Sequence, residues 1–254
     1  MPIQNILILG ASRGIGRALA IEYAARGCAL ALAARDVDAL RELTRELGKL
    51  GGKIVYHRCD VTDRAQVHAT VEHAKKALGR IDLAILNAGV GEPGWVDGMD
   101  AGRVETVFGV NTLGIVYALE ALVPVMKKQG GGVIAGVSSL ADARGYPGSA
   151  AYCASKAAAS TFLESARIEL RGSGIRVVTV RPGFVRTDMT AKNEFHMPFL
   201  LEPAKAARII RRRIAMGLSI VQFPWPVVFA TRVARIAPNF LFDRLLRVAR
   251  RRGE

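Results

Sequence analysis

Apolar, β-branched runs alternate with amphipathic stretches along the first 183 residues. The runs cover 3–9, 28–34, 53–57, 83–86, 133–137 and 176–180, and each is short enough for a buried strand. Between them, 15–26, 37–50, 64–78, 103–128 and 150–170 carry apolar residues at helical spacing. Strand–helix alternation repeated this often predicts a parallel sheet with helices on both faces. Right-handed crossovers then make it doubly wound, the Rossmann-type α/β arrangement.

Beyond Gly183 the texture changes. The segment 184–202 is irregular, and Pro203 opens a helix, so 184–217 reads as a variable lid and helix. A last short strand is expected over 218–223. Pro224-Trp225-Pro226 and two apolar-basic helical stretches follow, parted near Ala237-Pro238-Asn239. The expected organisation is one α/β domain over 1–254, ending in a basic amphipathic extension over 224–254.

Composition removes several alternatives. Half of the 254 residues are apolar and 23% are charged, which excludes a chain disordered throughout. The 26 glycines show no triplet period, and three scattered cysteines (Cys28, Cys59, Cys153) are too few for a disulfide scaffold. Their odd count fits a reducing compartment. No signal peptide and no run of about 18 uncharged apolar residues is read, so a cytoplasmic protein is expected. No Cys/His spacing resembles a metal site, and no metal is expected.

Charge is uneven. The chain carries +14, and residues 205–254 hold twelve Lys/Arg against two acids, a local charge of +10. Such asymmetry speaks of partners and not of fold.

Strand one runs into Gly10-Ala11-Ser12-Arg13-Gly14-Ile15-Gly16, and a helix follows. Glycines permit a tight turn and close approach to a pyrophosphate, while the helix N-terminus offers free N–H groups. The spacing is G-x-x-x-G-x-G, and by itself it also fits a plain βα turn. An acid about 20 residues further on holds the ribose of NAD in this type of fold. Asp36 has that spacing from Gly16, but strand two ends at Ala34 and Arg35 follows at once. Asp36 reads better as the cap of the helix that starts at Val37. Arg13 and Arg35 suit a 2′-phosphate, so NADP(H) is favoured, with NAD(H) as the alternative.

Tyr152 and Lys156 form Y-x-x-x-K at the start of a helical stretch, one turn apart on one face. An ammonium so placed is expected to lower the phenol's pKa and ready it for acid–base work. Ser139 lies thirteen residues before Tyr152, at a strand end where open parallel sheets bind ligands. Alone, Y-x-x-x-K is commonplace; its weight comes from the other motifs.

Together these motifs resemble the short-chain dehydrogenase/reductase family over about residues 3–190. The glycine turn looks like the family's cofactor turn, and Asp60-Val61 looks like the pair bordering the adenine. Asn87-Ala88-Gly89 is similar to the N-A-G element after strand four. Asn111 matches the asparagine that supports a proton-relay water, and Ser139, Tyr152 and Lys156 match the catalytic triple. Pro182-Gly183, Val185 and Thr187 match the P-G-x-x-x-T segment over the nicotinamide. The resemblance implies that Tyr152 passes a proton to a carbonyl oxygen while hydride reaches its carbon. It also implies that Ser139 orients the carbonyl, Lys156 binds the nicotinamide ribose and Asn111 holds the relay.

Met189, Phe195, Met197, Phe199, Leu200 and Leu201 fall where the family places its substrate lid, and Tyr146 adds an aromatic nearby. They point to a lipophilic ketone or secondary alcohol as the small-molecule substrate. An NAD-linked alcohol dehydrogenase or a 3-keto-lipid reductase is the rival enzyme, and a cofactor sensor or membrane scaffold is the rival outside catalysis.

The tail mixes Trp225, Phe229, Phe240, Phe242 and Leu245 with Arg232, Arg235, Arg244, Arg247, Arg250, Arg251 and Arg252. A basic amphipathic segment of this kind packs on its own subunit or against another copy, or lies on a membrane surface. Nothing resembles a nucleic-acid-binding module, so a nucleic-acid partner is not expected. The resemblance implies a homodimer formed through 103–128 and 150–170.

Overall fold

All seven apolar runs become strands: β1 (Asn5–Leu9), β2 (Ala29–Ala34), β3 (Ile54–Arg58), β4 (Leu83–Leu86), β5 (Gly132–Val137), β6 (Ile175–Pro182) and β7 (Ile220–Phe223). In the computed structural model, which describes residues 3–191 and 196–251, they form one sheet in the order β3-β2-β1-β4-β5-β6-β7. Every pairing is parallel. The chain steps outward from β1 to β3, then returns to place β4 on the other side of β1. That reversal leaves a crevice at the C-terminal ends of β1 and β4, where such sheets bind ligands.

Helices cover both faces. On one lie α1 (Gly14–Ala24), α2 (Val37–Gly48) and α8 (Pro203–Ala215). On the other lie α3 (Arg64–Leu78), α4 (Ala101–Phe108), α5 (Gly114–Lys128) and α6 (Ala150–Glu169). A short helix, α7 (Asp188–Ala191), precedes α8. Local chemistry sets the starts of three helices: Asp36, Asp63 and Asp100 accept hydrogen bonds from the N–H groups of Ala39, Gln66 and Gly102. Leu40, Leu43 and Leu47 of α2 then recur at helical spacing and are buried, each worth about 1.5–3 kcal/mol.

The continuous helix expected over 103–128 is interrupted. A π-helical turn, Gly109–Leu113, separates α4 from α5 and carries Asn111. One extra residue in a turn rotates the facing of every later residue in the helix, and such turns favour functional sites. The stretch Ala101–Lys128 is long and apolar enough to cross a membrane, but half of its most apolar part is buried, much of it against the sheet.

After β7 the chain forms α9 (Trp225–Ile236) and α10 (Asn239–Arg251), parted at Ala237 and Pro238. Phe195 of the expected lid and Arg252 of the tail lie outside the described residues. The same holds for the side chains of Leu245, Arg247, Arg250 and Arg251.

Candidate active site

The glycine turn joins β1 to α1 in the crevice. Gly10 and Ala11 donate to the carbonyl of Ala33, which ties the turn to β2. A Cβ on Gly16 would stand 2.0 Å from the Gly10 carbonyl oxygen, so only glycine lets the helix start this close. Arg13 is the extended N-cap of α1 and supplies no side-chain cap. The first-turn N–H groups beside Ser12, Gly14 and Ile15 therefore lack a side-chain cap, as an anion site requires. Gly14, at φ 57°, faces Thr187, whose Cγ2 would lie 3.1 Å from an added Cβ. Glycine turn and P-G-x-x-x-T segment thus meet side by side, close enough that a side chain on Gly14 would crowd Thr187. These features fit a dinucleotide.

At the end of β2, Ala34 is buried and Arg35 is exposed. Asp36 is committed to capping α2, its Oδ1 3.0 Å from the Ala39 nitrogen. Among the described residues, Ala34 and Arg35 stand at the end of β2 where a ribose-binding carboxylate is expected. Arg35 reaches within 4.0 Å of Asp60, and Arg13 within 3.7 Å of Asp188. Burial would raise Asp60, but hydrogen bonds from the Thr62 N–H and hydroxyl, with Arg35 nearby, hold it below the usual carboxylate value. Its neighbour Val61 is buried and would touch any side chain at Gly114.

Asn87, Ala88 and Gly89 follow β4. The Asn87 side-chain amide donates to the Gly10 carbonyl at 2.9 Å, so it braces the glycine turn. Gly89 lies against both Asn111 and Lys156: an added Cβ would stand 3.2 Å from Asn111 Oδ1 and 3.3 Å from Lys156 Nζ. Asn111 is fully buried; it accepts from the Val90 N–H and donates to the Val90 carbonyl and the Ser155 hydroxyl.

Ser139 continues β5 and caps the 3-10 turn Leu140–Ala143, its Oγ accepting from the Ala141 N–H at 3.1 Å. It also lies close enough to Tyr152 to influence that phenol. Tyr152 and Lys156 lie on successive turns of α6. Lys156 is buried, donates to the Val137 carbonyl at 2.9 Å, and sits 5.9 Å from the Tyr152 ring centre. Burial pulls its pKa down to about 8, against the nearby negative charge of Asp142. The expected lowering of the Tyr152 phenol is not found: burial pushes it up, and the neighbouring Ser139 hydroxyl only offsets part of the rise. The reason is geometric, since Lys156 is aimed at the Val137 carbonyl.

Pro182 ends β6, and the Gly183 N–H donates to the Phe223 carbonyl of β7 at 2.7 Å. Thr190 holds the loop between, donating to the Val185 carbonyl and accepting from the Thr187 N–H. Among the lid residues, Met189 lies within about a contact distance of the Gly91–Tyr152 corner, Phe199 is exposed, and Leu201 packs on the core. Tyr146 turns toward α10, edge-on to Phe242.

Two residues escaped the sequence reading. Asp142 is buried in an ion pair with Arg181 and hydrogen-bonds Ser160, behind the Ser139–Tyr152 pair. Thr190 is the other. Neither stands in a motif: Thr190 bonds within its own loop, whereas Asp142 meets Arg181 and Ser160 only because β5, β6 and α6 are adjacent.

The family model of the short chain dehydrogenases matches residues 4–197. An "uncharacterized oxidoreductase" of Myxococcus xanthus is 39% identical over 97% of this chain and 98% of its own length. A short-chain dehydrogenase/reductase from Burkholderia phymatum, solved with NAD, superposes with a TM-score of 0.85 at 26% identity, covering 92% of this chain and 94% of that one. An alcohol dehydrogenase from the archaeon Thermococcus sibiricus, solved with 5-hydroxy-NADP, superposes at 0.78 with 28% identity, covering 87% and 95%.

Proposed function

The chain belongs to the short-chain dehydrogenase/reductase family, and on that footing we propose that it reduces a lipophilic ketone with NADPH, using Tyr152 as the acid. It is an oxidoreductase acting between carbonyl and alcohol with a nicotinamide cofactor. The observation that carries the finer reading is the placement of Tyr152 and Lys156 one turn apart on α6, with Ser139 beside Tyr152 at the sheet end.

When bound, the nicotinamide supplies the hydride. The Ser139 hydroxyl orients the carbonyl oxygen, and the Tyr152 hydroxyl delivers its proton there. Burial keeps that phenol protonated at neutral pH, which suits it to act as an acid. Lys156 meets the nicotinamide ribose and supplies positive charge as the phenolate forms. Asn111 fixes the Val90 peptide and holds the relay water.

Preference for NADP(H) follows from Ala34 and Arg35 at the end of β2, with Asp36 spent on its cap. Gly10, Ser12, Arg13, Gly14, Ile15, Gly16 and Arg35 hold the phosphates. Asp60 and Val61 border the adenine, while Asn87, Ala88, Gly89, Pro182, Gly183, Val185 and Thr187 enclose the nicotinamide half. Met189 beside Tyr152 gives the substrate side an apolar wall. Leu113, Phe162 and Ile168 are exposed on and beside α5 and α6, which supports a homodimer through those helices.

Fluorescence titration with NADPH and NADH tests the cofactor reading: NADPH binds at least about tenfold tighter, about 1.4 kcal/mol. Tyr152→Phe abolishes turnover and keeps NADPH binding; unchanged turnover would overturn the role of Tyr152.

A further inference from the structure

Helix α9 contains only three polar residues, Thr231, Arg232 and Arg235, yet none of its twelve residues is buried. Trp225, Phe229, Val233 and Ile236 recur at i, i+4, i+8 and i+11, which stacks them on one face. That face points to solvent: Trp225 is 77% exposed and Ile236 is 82% exposed. Phe240 and Leu241, on the first turn of α10, are exposed as well. A helix that packed on its own subunit would bury this stripe; α9 turns it outward.

The flank of α9 beside β7 is basic. A cavity of about 490 Å³ there is lined by Arg181, Arg213, Arg232, Arg235, Gln222 and Trp225 among others, and by no carboxylate. Arg181 is neutralised by Asp142. Arg213 and Arg232 donate to Gln222, through its carbonyl and its side-chain oxygen. Among the described residues no acid pairs with Arg213, Arg232 or Arg235. An exposed apolar stripe therefore borders an unneutralised cluster of guanidinium groups, with Trp225 at the seam.

We propose that α9 docks the protein on an anionic lipid bilayer. Trp225, Phe229, Val233 and Ile236 enter the boundary between headgroups and acyl chains, and the arginine-lined cavity receives headgroup phosphate. Charge complementarity selects this occupant. A second copy meeting the same face would set Arg232 and Arg235 against their own kind, because a two-fold contact places one patch on itself. A polyanion in water would satisfy the arginines and leave the tryptophan, phenylalanine and isoleucine wet. The docked helix is fastened to the body through Arg144, which donates to the carbonyls of Ala234 and Ala237. The proposal uses none of the residues placed in hydride transfer.

The full chain is tested by co-flotation with vesicles of phosphatidylcholine alone and of phosphatidylcholine with phosphatidylglycerol. Expected is flotation with the anionic vesicles, declining as salt rises, and a blue shift of Trp225 emission in a Trp95→Phe background. Trp225→Ser with Phe229→Ser weakens partitioning about tenfold or more without changing the melting temperature. Arg232→Gln with Arg235→Gln abolishes the preference for phosphatidylglycerol. The proposal is overturned if the intact chain stays unbound, or if the serine pair floats like the unaltered chain. It is equally overturned if light scattering shows a dimer that the serine pair dissolves, which would make a second copy the occupant.

Discussion

Asn111 grips both main-chain groups of Val90: its side-chain oxygen takes the Val90 N–H and its amide gives to the Val90 carbonyl, each at 2.9 Å. This anchors the strand-four exit just past Asn87-Ala88-Gly89. Replacing Asn111 by Leu removes the partner of both part-buried Val90 groups and the bond that the buried Ser155 hydroxyl accepts. The expected loss is about 2–4 kcal/mol of stability, read from urea unfolding, together with most of the turnover.

Asp142 supports the positive charge on Lys156 and is neutralised on its other side by Arg181. Lys156 keeps its ammonium below about pH 8 and loses it above, so reductive kcat/KM falls as pH rises through about 8. Asp142→Asn removes the negative charge that raises the lysine, and the falling limb moves to lower pH. A pH–rate profile measures the shift. A role confined to packing would lower the rate and leave the limb in place.

Arg13 and Arg35 are exposed and lightly paired, at 3.7 Å and 4.0 Å from their acids. Such pairs are worth little, so they open at small cost to a phosphate. Arg13→Ala with Arg35→Ala weakens NADPH binding about tenfold or more and leaves NADH nearly unchanged. Equal losses for both cofactors would remove the 2′-phosphate argument.

Arg144 joins the segment after Ser139 to the C-terminal helices. Its guanidinium donates to Ala234, Ala237 and Asn239, and it lies 4.1 Å from the Phe242 ring centre. Arg144→Ala is expected to cost about 1–2 kcal/mol locally and to open the α9–α10 junction. Limited chymotrypsin digestion then cuts sooner at Phe240.

Much of this protein was legible from sequence, because periodicity and short motifs are local. The seven apolar runs became strands nearly at their expected bounds, and Asp36 capped α2 as its position before Val37 implied. The glycine turn, Asn87, Asn111, Ser139, Tyr152, Lys156 and Thr187 gather at one end of the sheet because every strand is parallel, so the segments that follow β1, β4, β5 and β6 leave from the same edge. Tertiary structure decided what depends on partners distant in the chain. Asp142 finds Arg181 only because β5 and β6 are neighbours, and Asn87 braces Gly10 only because β4 lies beside β1. Whether Lys156 faces a phenol or a carbonyl, and whether the apolar face of α9 turns inward or out, is settled by packing. A one-turn spacing puts two groups on one face of a helix, but the surrounding chain sets their solvation and therefore their chemistry.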